Sequence, residues 1–325
     1  MDFKEASTFG INEEVLSVYQ KLGWESFTRV QSKAIESGLG KGSSMVVSAP
    51  TSSGKTTIGE IAAILGALEG KKTVYLVSHR ALAEEKYNYF KTVFRDELEK
   101  LFDVSIATGD HVDGDWDNGI LVSTYEKYLS LITTSSNFSF EGKVVIADEI
   151  QILSDVSRGS EIEILCTIIR MGSPAQFIGL TATVPNVDEL STWFNCKGIK
   201  ISHRDVPLRQ EIWNEGRLFH NLYGQDELFE DQENAHVVND TIHVVNNLLN
   251  LKLGPILVFT MTKPRAIELA QGFSGTREKD ISAIIVGEQI ELFSELTITV
   301  GILKETCERR TAFHSGDLSF EERGR

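Results

Sequence analysis

The sequence contains one short segment in which glycine, lysine and hydroxyl side chains have the spacing used to hold phosphate. Residues 49–56 read Ala-Pro-Thr-Ser-Ser-Gly-Lys-Thr, between a run of β-branched residues and a helical pattern. Small residues let backbone N–H groups curve around phosphate oxygens, and the following helix N-terminus adds a positive dipole end. The segment predicts a nucleoside triphosphate site, with the Lys55 ammonium on the outer phosphates and the Thr56 hydroxyl on Mg²⁺. The alternative is an ordinary strand-to-helix turn with Lys55 in solvent.

Two adjacent acids form the second group of residues that could take part in a chemical reaction. Asp148 and Glu149 directly follow the apolar run 144–147. Parallel sheets bind ligands at the carboxyl ends of their strands, so both acids are expected at such an edge. There Asp148 can hold Mg²⁺ and Glu149 can orient and polarise a water molecule. The alternative is that the acids only flank the next helix. Together with the phosphate loop earlier in the chain, the second acid favours hydrolysis over transfer to a small molecule, because metabolic phosphate-loop kinases rarely need an acid in this place.

The elements that must position these residues alternate between short apolar runs and longer helical patterns. One helical pattern covers 55–69, with Gly70 as the C-cap of that helix. A second covers 80 to about 101. Strand, helix and strand in alternation predict an α/β fold, a parallel sheet with helices on both faces. The predicted buried strands are 45–48, 73–77, 104–107, 120–123, 144–147 and 177–180.

The pattern changes after about residue 200. Residues 218–240 are polar and acidic without a strong period, which is typical of a connecting segment or surface excursion. A predicted helix over 237–251 then leads through Gly254 and Pro255 into a predicted buried strand at 256–259. The predicted domains are 1–203, a connecting segment 204–253, and the start of a second α/β domain at 254–325. The chain is expected to be truncated, since fewer residues follow Gly254 than such a domain requires.

With these features in this order, the sequence resembles the DExH-type helicases of superfamily 2, in their superkiller-like branch of archaeal repair helicases and RNA-exosome helicases. The resemblance covers about residues 9–325. It implies a RecA-like ATP-binding domain followed by part of a second RecA-like domain. The segments that carry it are Gln31, 49–56, 80–83, 108–110, 123–127, 148–151, 181–183, 258–260, 312–318 and 321–323.

The resemblance also implies roles for individual residues. Gln31 would read adenine, Lys55 and Asp148 would act with Glu149 in catalysis, and Thr56 and Asp148 would bind the metal. The residues implied to hold ATP are Gln31, Thr51, Ser52, Ser53, Gly54, Lys55, Thr56 and Thr57. Those implied to contact nucleic acid are Arg80, Gly109, Thr124, Thr260 and His314. Those implied to couple hydrolysis to movement are Gln151, Thr181 and Thr183.

The sequence departs from the family pattern at three places. Gln151 stands where this branch usually has histidine, so the position keeps an amide donor and acceptor but loses a protonation switch. Tyr125 replaces a usual proline, and Ser78-His79 replaces a proline-containing pair. The motif that carries the arginine finger is expected beyond Arg325, and no arginine in the sequence occupies a matching motif.

Composition narrows the class of protein. The 325 residues carry 32 basic and 47 acidic side chains, a net charge of −15, which favours a local nucleic-acid groove over a broadly basic face. Three scattered cysteines indicate reduced thiols in a cytosolic compartment, and no secretion signal or membrane span is visible. The histidines and cysteines lack zinc-ligand spacing, and the acidic run 113–117 lacks the pattern of a calcium loop.

The sequence therefore predicts a cytoplasmic, ATP- and Mg²⁺-dependent helicase or translocase on DNA or RNA, with DNA slightly favoured. An alternative is a clamp or scaffold that binds ATP and nucleic acid without unwinding. A further alternative is a phosphate-loop enzyme acting on a small molecule. The sequence leaves the oligomeric state open.

Overall fold

The computed structural model divides the chain into two compact units, residues 1–208 and 209–325. The structure describes residues 1–98, 101–109, 111–114, 119–135, 138–204, 208, 210–214, 217–222, 225–230, 240–275, 277–280, 283–284 and 298–313.

The first unit is built on an eight-stranded sheet in the order β4-β3-β5-β2-β6-β7-β1-β8. Only β4 runs antiparallel to its neighbour; every other pairing is parallel. The six predicted strands are confirmed, and the edge strands β4 and β8 are additions to the prediction. The strands are β1 (Met45–Ser48), β2 (Thr73–Val77), β3 (Val104–Thr108), β4 (His111–Asp113), β5 (Ile120–Thr124), β6 (Val144–Ala147), β7 (Gln176–Thr181) and β8 (Lys197–Lys200).

Helices cover both faces of this sheet, as the α/β prediction requires. Val47 packs into the core under α1–α5, whereas the adjacent Val46 packs into the core under α6–α8. Successive strand residues point to opposite faces, so a strand buried on both faces is apolar throughout. The helices are α1 (Phe3–Thr8), α2 (Glu13–Lys21), α3 (Arg29–Glu36), α4 (Lys55–Leu68), α5 (Arg80–Tyr89), α6 (Tyr125–Thr134), α7 (Gly159–Met171) and α8 (Val187–Trp193), with 3₁₀ turns at Leu39–Lys41 and Ile150–Ser154.

The helix predicted over 80–101 is shorter and changes type. The α-helix ends at Tyr89, and the wider turns of a π-helix continue over Phe90–Arg95. Phe90 and Phe94 are both fully buried there and pack against Tyr75 and Tyr19 respectively. A π turn shifts the register of the side chains by one residue, and here it coincides with two aromatic rings entering the core.

Among its described residues the second unit contains a three-stranded antiparallel sheet and several helices. The strands are β9 (Gln210–Asn214), β10 (Arg217–Leu222) and β11 (Gln225–Glu230), and the last two form where the sequence showed no strong period. The helix predicted over 237–251 is present as α9 (Asp240–Asn250), and it is followed by α10 (Lys263–Gly275) and α11 (Ile298–Cys307).

The strand predicted at 256–259 is wrong. Within the described part of this unit no strand pairs with the segment, so it has no ladder. Ile256 and Val258 pack against a small cluster with Val245 and Phe273, while Phe259 is 87% exposed. The alternation of inward and outward side chains is that of an extended segment with one covered face, which an apolar run alone does not distinguish from a buried strand.

Candidate ATP and nucleic-acid site

The phosphate loop lies between the end of β1 at Ser48 and the start of α4 at Lys55. Two of its residues adopt left-handed backbone conformations, Ser52 with φ 63° and Gly54 with φ 85°. A β-carbon on Gly54 would lie 2.4 Å from Nε2 of Gln31, so only glycine fits this turn. The loop therefore has the tight, side-chain-poor form that a phosphate cradle needs.

Lys55 is buried within this loop. Its Nζ donates to the carbonyl oxygens of Ala49 at 2.8 Å and Pro50 at 2.9 Å. Burial lowers the pKa of Lys55, and the nearby carboxylates of Glu149 and Asp148 act in the opposite direction. The carboxylates of the acid pair are thus close enough to the phosphate-loop lysine to favour its charged form.

The hydroxyl residues of the loop differ in exposure. Thr51 and Ser52 are exposed, and Thr56 is half-buried at the start of α4. Ser53 and Thr57 are buried, and Ser53 Oγ donates to the carbonyl of Pro50 at 2.7 Å. Thr51, Ser52 and Thr56 are therefore the accessible hydroxyls of the predicted set.

Gln31 is fully buried beside the loop. Its Nε2 donates to the carbonyl of Gly54 at 3.0 Å, and its Oε1 accepts from the backbone N–H of Thr28 at 2.8 Å, within the capping box of α3. Thr28 Oγ1 in turn donates to the carbonyl of Ser53 at 2.9 Å. The structure therefore places Gln31 against the phosphate loop, with both ends of its amide bonded to backbone.

The acid pair follows β6. One carboxylate oxygen of Asp148 accepts from the Tyr75 hydroxyl at 3.1 Å, and the other accepts from the backbone N–H of Glu149 at 3.0 Å. The Tyr125 hydroxyl donates to the carbonyl of Asp148 at 2.7 Å. Burial, and then the charge of Glu149, raises the pKa of Asp148 to about 6. Glu149 has φ 54°, a conformation that costs energy for a residue with a β-carbon.

The phosphate loop and the acid pair lie at the same edge of the sheet. β1 and β6 are parallel strands separated only by β7, so their carboxyl ends, Ser48 and Ala147, face the same side. A hydroxyl and a carboxylate are oxygen ligands of the kind Mg²⁺ prefers, usually together with phosphate oxygens. The described residues hold no cluster of three metal-binding side chains.

Gln151 connects the acid pair to the end of β7. Its Nε2 donates to a carboxylate oxygen of Glu149, and its Oε1 accepts from the backbone N–H of Ala182 at 3.1 Å. The hydroxyl of Thr181 is buried with no partner among the described residues, and Thr183 is exposed. The contact thus runs through the backbone between the two threonines.

Three of the residues implied to contact nucleic acid line one cavity of about 470 Å³. They are Arg80, Gly109 and Thr124, which lie at the ends of β2, β3 and β5. Gly109 has φ 46°, and a β-carbon there would lie 2.5 Å from the Arg80 guanidinium carbon. The arginine is therefore seated directly on the glycine backbone. The other lining residues are Ser78, His79, Glu126, Lys127 and Arg158.

The two remaining nucleic-acid candidates lie in the second unit. Thr260 is half-buried, and its hydroxyl donates to the carbonyl of Thr262 at 3.1 Å. His314 lies outside the described residues.

Four further residues at these sites were not identified from the sequence. Tyr75 and Tyr125 bond the acid pair, and Arg158 bonds Glu126 in the cavity wall. Arg204 Nη1 lies 3.4 Å from the Thr51 hydroxyl of the phosphate loop. Tyr75 occurs in a run that predicts a buried strand, and the two arginines stand in no motif, so the sequence held no signal for these three. Tyr125 lies in the segment 123–127 and was noted there only as a replacement of a usual proline.

Comparison with known proteins agrees with this geometry. The family model "DEAD/DEAH box helicase" matches residues 28–190. The chain is 34% identical over 323 residues to an ATP-dependent DNA helicase Hel308 of Pyrococcus horikoshii, covering 96% of this chain and 42% of that protein. The Hel308 of Thermococcus kodakarensis is 33% identical over 320 residues, covering 96% of this chain and 27% of that protein.

The crystal structure of a hypothetical ATP-dependent RNA helicase from Sulfolobus tokodaii is also similar. Its TM-score is 0.47 at 22% identity, covering 58% of this chain and 57% of that one. No helix among the described residues has the length and apolar character to cross a bilayer. The chain spans less than half the length of the Hel308 relatives it matches. Since the family model accounts for half of its sequence, the chain belongs to the DEAD/DEAH box helicase family.

Proposed function

We propose that this chain binds ATP with Mg²⁺ at the carboxyl edge of its parallel sheet and hydrolyses the ATP to move along or unwind nucleic acid. The observation that carries the proposal is that Lys55, Asp148 and Glu149 lie at the same edge of the sheet. There the two carboxylates favour the charged form of the lysine. Phosphoryl transfer depends chiefly on positioning and charge neutralisation, which a cation and an acid pair provide.

The proposed roles follow from the chemistry of each group. The loop amides over 49–54 and the Lys55 ammonium would hold the phosphates, and Thr56 and Asp148 would hold the cation. The cation would neutralise charge on the phosphate oxygens. Glu149 would orient the attacking water and accept its proton. Tyr75 and the Glu149 backbone N–H fix the Asp148 carboxylate through hydrogen bonds to both of its oxygens.

A route from hydrolysis to movement is proposed through Gln151. Its side chain bonds both Glu149 and the backbone of Ala182, so a shift of the acid pair is transmitted to the loop after β7. An amide makes both bonds at any pH, unlike a histidine, whose protonation changes its donors and acceptors.

The proposed substrate is DNA, because the relatives that cover nearly all of this chain are named DNA helicases. The cavity lined by Arg80, Gly109 and Thr124 would hold the backbone of one strand, a sequence-independent mode of contact. We propose that Thr260 and His314 of the region 254–325 also contact nucleic acid, with 204–253 as the connecting segment.

The test is an ATPase assay of the protein with single-stranded DNA, with RNA and with neither. The proposal expects turnover that rises with added DNA. Turnover without response to either nucleic acid would instead indicate a small-molecule enzyme. Strand-stimulated turnover without displacement of a duplex would indicate the clamp alternative.

A further inference from the structure

Arg158 stands at a junction of three loops beside the cavity that we propose for the DNA strand. Its Nε donates to a carboxylate oxygen of Glu126 at 2.7 Å, and its Nη2 donates to the carbonyl of Ser78 at 2.5 Å. Ser78 follows β2, Glu126 lies in the first turn of α6 after β5, and Arg158 itself follows the acid pair. One guanidinium thus joins segments far apart in sequence.

The backbone at Arg158 is itself held by hydrogen bonds to Asp155. Asp155 accepts from the backbone N–H of Arg158 at 3.0 Å and from the backbone and hydroxyl of Ser157 at 2.8 and 2.7 Å. The Arg158 side chain is 28% exposed and that of Glu126 is 34% exposed. A planar guanidinium anchored at its backbone and bonded at two nitrogens has little freedom, so the loops it joins are fixed relative to each other.

The same junction has a second connection to the acid pair. Tyr125 precedes Glu126 directly, and its hydroxyl donates to the carbonyl of Asp148. The start of α6 therefore touches the nucleotide edge through Tyr125 and the junction through Glu126. A displacement of Asp148 would therefore be transmitted through Tyr125 to Glu126 in the cavity wall.

The charge of Glu126 gives this arrangement a consequence for strand binding. The carboxylate borders the cavity that also contains Arg80 and Lys127. An unpaired carboxylate there would repel phosphate, and the pair with Arg158 neutralises it.

We propose that Arg158 is a positioning residue that holds the Ser78 and Glu126 loops in the geometry that binds the DNA strand. This inference rests on the proposed function. Arg158 acts through its neighbours, since two of its nitrogens are bonded to protein oxygens.

The experiment measures binding of a fluorescein-labelled oligothymidylate by anisotropy, in the presence of a non-hydrolysable ATP analogue and Mg²⁺. The variants of the chain are Arg158→Ala, Arg158→Lys, Glu126→Gln and Arg158→Ala with Glu126→Gln. Arg170→Ala, at an exposed position of the helix that follows Arg158, is the matched control. Affinity for the ATP analogue and the urea midpoint are measured in parallel.

We expect Arg158→Ala to weaken strand binding about tenfold and leave the affinity for the ATP analogue unchanged. Lysine should restore little of the loss, because it keeps the charge but not the two-point fork. Glu126→Gln should weaken binding as well, and the double variant should be no weaker than Arg158→Ala. The Glu126 variant keeps side-chain shape, so it tests the inference even if Arg158→Ala folds poorly.

Two results would overturn the inference. Tighter strand binding by Glu126→Gln would mean that Arg158 contacts phosphate directly and that Glu126 competes with it. Binding by Arg158→Ala equal to that of Arg170→Ala would mean that the junction has no role in the strand site. Absence of strand binding by the unaltered chain would instead count against the proposed function.

Discussion

The hydroxyl of Tyr125 donates to the backbone carbonyl of Asp148 at 2.7 Å, across 23 residues of sequence. Both residues are at the carboxyl edge of the sheet, Tyr125 at the start of α6 and Asp148 after β6. Tyr125 is fully buried, so this bond is shielded from water. The bond fixes the backbone of the acid that we propose as the metal ligand, and its donor directly precedes Glu126 in the wall of the cavity that we propose for the DNA strand.

Removing this hydroxyl leaves a buried carbonyl oxygen without that donor, so Tyr125→Phe should lower the free energy of unfolding by about 1–3 kcal/mol. Tyr128→Phe, three residues later on the same helix, is the matched control. The Tyr128 hydroxyl is buried with no partner among the described residues, so its loss should be neutral or stabilising. Urea denaturation measures both. Equal effects of the two variants would show that the Tyr125 bond contributes nothing specific.

The ionised Asp148 should cost the fold stability at neutral pH. Its pKa is raised from 3.8 to about 6, so the folded protein holds the proton more tightly than the unfolded chain does. Stability should therefore fall as pH rises from about 4 to about 6 and stay lower above that range. Asp148→Asn removes the cost and should be more stable than the unaltered chain by at most about 3 kcal/mol at about pH 8, with the difference vanishing near pH 4.

Urea denaturation at both pH values tests this prediction, with Glu141→Gln in an exposed turn as the control. A variant that is less stable than the unaltered chain at about pH 8 would show that Asp148 is stabilised by its hydrogen bonds rather than destabilised by burial.

Glu149→Gln should keep affinity for ATP and stop its turnover, because an amide retains the shape of the side chain but cannot accept the proton of the attacking water. The measurement pairs a nucleotide titration with a steady-state ATPase assay in the presence of single-stranded DNA. Glu141→Gln is the control for the loss of one carboxylate, since Glu141 lies in an exposed turn. Turnover by Glu149→Gln at the unaltered rate would remove Glu149 from the proposed mechanism.

Gly109→Ala should weaken strand binding by displacing Arg80. The added β-carbon would lie 2.5 Å from the Arg80 guanidinium, which must then move. Gly70→Ala is the matched control, because Gly70 also has a positive φ, 72°, but nothing lies within 4 Å of its β-carbon position. Each substitution should cost stability by about 1 kcal/mol through backbone strain. Only Gly109→Ala should raise the Kd for oligothymidylate, and equal Kd values would exclude Arg80 from the strand site.

Much of the first unit was predictable from local sequence. Its strands are short runs of β-branched residues buried on both faces, and the Gly54-Lys55 turn sits between one such run and a helix. These features depend on neighbouring residues only, so periodicity and motif spacing identify them.

Contacts that depend on strand order were not predictable. Tyr75 bonds Asp148 because β2 lies beside β6, although 73 residues separate them in sequence. In sequence Tyr75 is one apolar residue in a buried run. Arg158 likewise reaches Ser78 only because of the fold. The prediction of a strand at 256–259 was wrong for the opposite reason. An apolar run predicts a strand regardless of whether a neighbouring strand exists.

The central claim is that a nucleoside triphosphate with Mg²⁺ lies between the Gly54 turn and the acid pair. A calorimetric titration with a non-hydrolysable ATP analogue tests this claim most directly. The unaltered chain should bind it, and so should Lys71→Ala, an exposed lysine paired with Glu69. Lys55→Ala should lose about a hundredfold or more in affinity, because it removes the cation that faces the phosphates. Unchanged affinity of Lys55→Ala would contradict the account.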